Sequence, residues 1–205
     1  MKIHVLCLGP IQTNCYFVEN EESILVIDPG AEYERIEKQL EAIGKPVAAI
    51  LLTHAHFDHI GAVDALVADT EATVYIGQEE QYWLADPESN GSLKFKSYGL
   101  DEIVSRTKPE IIRPGKKSVG TFKFDVIHTP GHSPGSVSYI FKDFAVVGDT
   151  LFKEGIGRTD LKEGNLQQLM NSIDQLLELP DEMTIYPGHG PKTTIQYESD
   201  NNPYL

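Results

Sequence analysis

The sequence predicts an α/β fold, an αββα four-layer sandwich with two sheets packed face to face and helices outside. Three observations lead there. Short β-branched runs come in blocks separated by a few stretches of helical periodicity. The run Val47–Leu52 is apolar without alternation, as a strand covered on both faces must be. The residues best suited to chemistry all lie just beyond strand ends, where layered α/β folds collect their sites. A chain of 205 residues suits one domain, 1–205, and can bury roughly 70% of its unfolded surface.

Taken in order, Ile3–Leu8, Cys15–Glu19 and Ile24–Asp28 read as strands, split by turn clusters at Gly9-Pro10 and Asn20–Ser23. Pro29-Gly30 ends the third strand. From Glu32 to Ile43 the apolar residues Ile36, Leu40 and Ile43 keep helical spacing, and Gly44 closes the helix. After strand Val47–Leu52, a second helix begins near Asp58–Gly61 and continues through Val63, Leu66 and Val67. Thr73–Ile76 reads as strand and Glu79–Ala85 as helix, with Trp83 and Tyr82 in the core or at a rim. From Asp86 to Lys117 periodicity fades, and so long an irregular stretch suggests a substrate loop or lid over 86–117. Strands resume at Thr121–His128, Ser136–Phe141 and Phe144–Gly148. Helix Leu166–Leu177 and strand Met183–Tyr186 complete the pattern.

Hydrophobic content of 40% and charged content of 23% are ordinary globular values. The net charge of −14, without a Lys/Arg-rich run, argues against nucleic acid as a partner. No apolar run approaches the roughly 20 residues that span a bilayer. The N-terminus enters a strand pattern with no signal-peptide layout. Cys7 and Cys15 read as two buried thiols rather than a disulfide, so the expected compartment is the cytoplasm.

Thr53-His54-Ala55-His56-Phe57-Asp58-His59 reads H-x-H-x-D-H directly after an apolar strand. His132, Asp149 and His189 follow, each beside small turn residues in Pro130-Gly131-His132, Gly148-Asp149 and Pro187-Gly188-His189-Gly190. Imidazole nitrogens and carboxylate oxygens at such loop positions suit a pair of divalent cations. Water held between two such cations becomes a nucleophile near neutral pH. Singly, His54 after a strand reads as structural and Asp149 as a turn former; in this order and number they point to a metal site. His4 and His128 lie inside strand patterns and read as structural, the Glu32–Glu41 acidic segment as a solvated helix face. Gly155-x-Gly157 follows no strand-to-helix turn and carries no nucleotide signal.

These positions resemble the metallo-β-lactamase superfamily with its complete dinuclear ligand set, and Asp28-Pro29-Gly30 is similar to the family's Asp-bearing turn. Within it, Thr129–Ser136 and Gly148-Asp149-Thr150-Leu151-Phe152 look like the motifs of glyoxalase II-like, or hydroxyacylglutathione hydrolase-like, thioester hydrolases of the short bacterial form. The resemblance implies a first metal held by His54, His56 and His132 and a second held by Asp58, His59 and His189. It implies Asp149 as the bridge and Asp28 as a residue orienting a ligand. The cofactors implied are two divalent metal ions, zinc first, with iron or manganese accepted by the same donors. Asp58 would also act catalytically by orienting the attacking water and taking its proton.

Arg158 stands where the family places a basic contact to glutathione; it either pairs with a substrate carboxylate or folds onto Asp160. Ile156 stands where a Cys is common and Asp160 where a glutathione-contacting Tyr stands, which leaves the thiol carrier open. The chain ends without the helical C-terminal domain of the longer enzymes. The expected activity is hydrolysis of thioesters such as S-lactoylglutathione or an analogous thiol ester. A mononuclear-iron persulfide dioxygenase using His56, His132 and Asp149 is the first alternative. A lactone or phosphoester hydrolase, or a metal-binding protein without catalysis, follows; an exported β-lactamase and an RNA-processing nuclease are disfavoured.

Overall fold

The computed structural model describes all residues 1–205. β1 (Lys2–Leu8), β2 (Thr13–Glu19), β3 (Ile24–Ile27), β4 (Val47–Leu51), β5 (Val74–Ile76) and β6 (Glu110–Ile111) form one six-stranded sheet in that order. Its first two neighbour pairs are antiparallel, and the remaining three are parallel. β7 (Gly115–Val119), β8 (Phe122–His128), β9 (Val137–Ile140), β10 (Phe144–Gly148), β13 (Thr184–Pro187) and β14 (Thr193–Thr194) form the second sheet, β10 and β13 pairing in parallel. Between them in the chain, β11 (Leu151–Phe152) and β12 (Gly155–Ile156) make a small separate hairpin.

Strand alternation sorts the side chains into three buried layers. In the middle layer, Tyr16, Leu25, Ile27 and Leu51 of the first sheet meet Phe124, Val126, Tyr139 and Val146 of the second. Their alternate neighbours Phe17, Val26 and Ile50 face outward onto α1 (Tyr33–Ile43) and α3 (Val63–Thr70) through Ile36, Leu40, Val63 and Leu66. Ala145, Val147 and Ile185 of the second sheet pack outward on Leu169, Ile173 and Leu176 of α5 (Leu166–Leu177). Each of these three α5 side chains is fully buried, worth about 1.5–3 kcal/mol apiece. The layers are therefore helix, sheet, sheet, helix, as the strand blocks predict.

Several elements differ from the sequence reading. The second helix is broken at Gly61-Ala62 into a single turn, α2 (Phe57–Ile60), and α3. Glu79–Ala85 is not one helix but two 3-10 turns, Gln78–Glu80 and Trp83–Ala85; the carboxylate of Glu80 turns inward to bond backbone. Residues 86–117 are less irregular than their periodicity suggests. They hold the turn α4 (Ser92–Phe95), a 3-10 turn Lys96–Tyr98, β6 and the start of β7. A further helix, α6 (Ile195–Asn201), is capped by Thr194, whose hydroxyl accepts from Tyr197 N at 3.2 Å. Cys15 is buried, but Cys7, near the end of the edge strand β1, is exposed. No helix is long and apolar enough to cross a membrane.

Candidate metal centre

Four loops at one edge of the two sheets carry the seven candidate ligands. His54 and His56 follow β4, and Asp58 and His59 lie in the single turn α2 that begins at Phe57. His56 ends the extended run at φ −66°, ψ 146°, and Phe57 N donates to Asn90 O at 3.0 Å, which turns the chain so sharply that Asp58 and His59 follow on a new face. His132 lies in the β8–β9 loop, Asp149 directly after β10, and His189 directly after β13. The structure brings all seven together. Ligand atoms of His54, His56 and His132, of His54, His59 and Asp149, and of Asp58, His59 and His189 lie within 4.8 Å of one another in each group.

Close backbone approach makes this convergence geometrically demanding. A Cβ on Gly188 would stand 2.0 Å from Asp149 Oδ1 and 2.8 Å from His59 Cε1, so glycine is required beside His189. A Cβ on Gly30 would stand 1.7 Å from the Asp58 carbonyl oxygen, so the Pro29-Gly30 turn packs directly on α2.

The outer hydrogen bonds fix which nitrogen faces inward. His132 Nδ1 lies 2.8 Å from Arg158 O, a carbonyl that can only accept, so the proton sits on Nδ1 and the Nε2 lone pair points into the cluster. Asp28 Oδ2 holds His59 Nδ1 at 2.9 Å, turning its Nε2 toward Asp58 Oδ2 and Asp149 Oδ1, each 3.5 Å away. Asp28 also accepts from Thr53 N at 2.8 Å and Thr53 Oγ1 at 2.7 Å. It thus grips both a candidate ligand and the residue preceding His54. Inside, His56 Nδ1 and His132 Nε2 are 2.9 Å apart, and His189 Nε2 stands 3.2 Å from Asp58 Oδ2.

Charge divides the cluster. Burial drives His54 well below the usual imidazole range, and neighbouring imidazoles add to the shift. Burial and the His132 ring bring His56 down to about 3. For His59 burial acts the other way from the result: the carboxylates of Asp58, Asp28 and Asp149 overcome it and raise the ring to about 9. His189 is likewise raised, against burial, to about 11 by hydrogen bonds to Asp149 and Asp58. Burial also opposes the Asp149 shift, yet the His59 charge and the His189 bond carry it down to about 2. Asp58 is held below the carboxylate range by His59 and His189, despite burial.

The donor set fits divalent cations on an observation of the structure itself. His54 Nε2, His59 Nε2 and Asp149 Oδ1 are buried polar atoms without a hydrogen-bond partner, and all three belong to one candidate group. Leaving each unsatisfied would cost about 1–3 kcal/mol, which a shared cation removes.

Some participants carry no local sequence signal. Glu80 is fully buried; its Oε2 accepts from Ala55 N at 2.5 Å and its Oε1 from Gly135 N at 2.7 Å. One carboxylate therefore ties the His54–His56 loop to the His132 loop. Thr13 Oγ1 donates to Asp58 Oδ2 at 2.7 Å. Asn14 Nδ2 donates to Pro187 O and Gly190 O at 3.0 and 2.9 Å, clamping the His189 loop onto β2. A polar Thr-Asn pair opening an otherwise apolar strand is the faint signal that could have flagged them.

The remaining expectations fall into place by distance. His4 bonds Glu19 and His128 bonds Pro134 O, both at 2.8 Å and outside the cluster. Trp83 is a core residue whose ring centroid lies 6.0 Å from that of His56, while Tyr82 is exposed. Arg158 lines the cavity over the cluster, its guanidinium forked onto Asp160 at 2.6 and 2.7 Å. Of the two readings of Arg158, the structure shows the internal pair.

The family model for the metallo-β-lactamase superfamily matches residues 8–189. A probable metallo-hydrolase of Bacillus subtilis, YqgX, is 44% identical over 100% of this chain and 98% of its own. Hydroxyacylglutathione hydrolase GloC of Haemophilus influenzae is 33% identical, again over 100% and 98%. Among solved structures, the BLEG-1 B3 metallo-β-lactamase superposes with a TM-score of 0.95 at 42% identity, covering 100% and 99% of the two chains. TTHA1623, crystallised in a di-iron-bound form, gives 0.89 at 36% identity over 98% and 100%.

Proposed function

The chain belongs to the metallo-β-lactamase superfamily, and from that premise we propose that it is a dinuclear metal-dependent hydrolase of thioesters. The observation that carries the reading is the pair of donor groups, His54/His56/His132 and Asp58/His59/His189, on either side of Asp149 at the floor of a cavity. Bound there, two divalent ions would supply Lewis acidity and a nucleophilic water near neutral pH. The likeness to a hydroxyacylglutathione hydrolase over the whole chain supports a thioester such as S-lactoylglutathione, or the ester of another small thiol.

The chain's own residues account for the rest. Asp149, ionised and central, would bridge the two ions, and His59, oriented by Asp28, would serve the second. Asp58 stays ionised and is fixed by the Thr13 hydroxyl, so one carboxylate oxygen can orient the attacking water and accept its proton. A thiolate leaves with an ordinary thiol pKa near 8.5, so no strong general acid is required.

The test is metal analysis of purified protein together with thioester hydrolysis in the same preparation. About two metals per chain with turnover is the expected result; two metals with no thioester turned over would remove the reading. β-Lactams belong in the same panel because the BLEG-1 neighbour is named a β-lactamase. A second reading, the mononuclear-iron dioxygenase, draws on the compact trio His56, His132 and Asp149, separated by 2.9 and 3.5 Å. One iron per chain with oxygen uptake on a persulfide and no hydrolysis would establish it instead.

A further inference from the structure

Two cavities meet at the cluster, and they share one wall formed by Ile11, Phe57 and Asp58. The first, about 310 Å3, lies over His56, His132, Asp149 and His189. Around them it is lined by the apolar Ile11, Phe57, Phe95, Phe152, Ile156 and Leu161, with Asp58, Asn90 and Arg158 as the other polar side chains. The second, about 250 Å3, lies on the other side of Phe57, between Leu8, Pro10 and Ala31 and the loop residues Leu100 and Ile103. Together they make a two-lobed cleft with Asp58 on the ridge between the lobes.

The loop that completes both lobes is pinned at its base and apolar at its tip. Asn90 Nδ2 donates to Trp83 O and Ile103 O at 3.1 and 2.8 Å, and Ile103 N donates to Ser92 Oγ at 3.0 Å. Beyond those anchors, Phe95 packs on Phe57 at 5.2 Å between centroids, and Tyr98 follows Phe95 at 6.0 Å. Leu93 and Tyr98 are 47% and 79% exposed at the tip. An aromatic series thus runs from solvent to the residue beside Asp58.

The lining of the two cavities offers no unpaired Lys or Arg to a charged substrate. Apart from the histidines, Arg158 is the cation in the lining of the two cavities, and Asp160 already neutralises it through two bonds. At the loop, Lys96 is paired with Glu102 at 2.6 Å, and Lys94 is exposed and outside the lining of both cavities. The whole chain carries −14. Moving carboxylates and an ammonium from water into walls of Phe, Ile and Leu is costly without paired charges.

We propose that the substrate of this cleft is an uncharged thioester with an apolar acyl group, the acyl chain lying against Phe95 in one lobe and a neutral thiol arm extending into the other. This rests on the thioester reading above and narrows it, because a glutathione conjugate is polar and charged at both ends. A cavity of this size is at the small end of the roughly 300–1,000 Å3 range of small-molecule sites, so the acyl group is short to medium.

The experiment uses metal-replete protein and thioesters of one neutral thiol, N-acetylcysteamine, carrying acetyl, butanoyl, hexanoyl and lactoyl groups, with S-lactoylglutathione as the charged comparison. The expected result is a rise in kcat/KM of about fourfold per methylene up to hexanoyl, the effect of burying each CH2. S-lactoylglutathione should fall below the neutral hexanoyl ester. Phe95→Asp should flatten the chain-length slope, and Phe95→Leu should keep it; thermal melting confirms that both fold. Turnover that is flat with chain length, or highest for S-lactoylglutathione, overturns this inference and leaves the thioester hydrolase standing. Failure to cleave any thioester overturns both.

Discussion

The first donor group, three imidazoles, and the second, two imidazoles and a carboxylate, stand in opposite electrostatic states. His54, His56 and His132 are 0–4% exposed, and burial keeps His54 and His56 neutral across the ordinary pH range. In the second group His59 is fully buried, while Asp58 and His189 line the cavity and the His189 side chain is 25% exposed. There the carboxylates hold protons on His59 and His189 up to about 9 and 11 in the absence of a cation. A cation entering the first group meets free lone pairs, whereas one entering the second must displace protons. Burial decides the first case and paired charge the second.

Removing the shared residue is the harshest way to break this comparison. Asp149→Ala should abolish turnover and lower both metal affinities, whereas His56→Ala should abolish turnover and spare the second ion. Metal counting after gel filtration, with circular dichroism to show an intact fold, separates them; equal metal loss in the two variants would undo the assignment of Asp149 as bridge. Acidification should distinguish the groups next. Below pH 9 the second ion has to release up to two ring protons on binding, so its affinity should fall by as much as about a hundredfold per pH unit, while the first should change little. Competition with a chelator between pH 9 and 6 reads both slopes, and parallel slopes would contradict the division.

The metal-free protein should show the complementary trend in stability. A raised imidazole pKa stabilises fully below the unfolded value of about 6.5, and that contribution is lost as pH rises through the folded values of about 9 and 11. Melting of the apo protein should therefore decline from neutral pH toward pH 10 more steeply than that of a His189→Gln variant.

A smaller effect sharpens the first group alone. Glu80→Gln keeps the volume but cannot accept from both Ala55 N and Gly135 N, so affinity for the first ion should drop about ten- to a hundredfold, with the second unchanged. Cobalt titration followed by its visible absorption would show this, and Glu80→Asp should recover part of it. The smallest effect belongs to Arg158→Ala, which removes an exposed pair and should change kcat/KM for neutral esters by about threefold or less. A larger loss would mean that Arg158 leaves Asp160 for the substrate.

The layers were legible because they rest on short-range pattern: Val47–Leu51 has no polar alternation, and α5 repeats Leu169, Ile173 and Leu176 at helical spacing. Elements without such a period were not. β6 has two residues, β7 opens Gly-Lys-Lys, and the 3-10 turns around Glu80 are too short to repeat. The break at Gly61 escaped for a different reason: helical spacing continues across it, and the steric demand comes from Gly30, whose carbonyl would lie 2.3 Å from a Cβ there.

By itself, the sequence determined the order and type of the donors, because His54, His56, Asp58 and His59 occupy one six-residue run and the others follow strand-ending turns. The tertiary structure alone decided how they are held and charged. Asn14 reaches Pro187 across 173 positions, Glu80 joins loops 25 and 55 residues away, and Asp28 reaches His59 across 31. Such contacts leave no periodicity in the chain, since each is one hydrogen bond between residues that only the packing of two sheets brings within 3 Å.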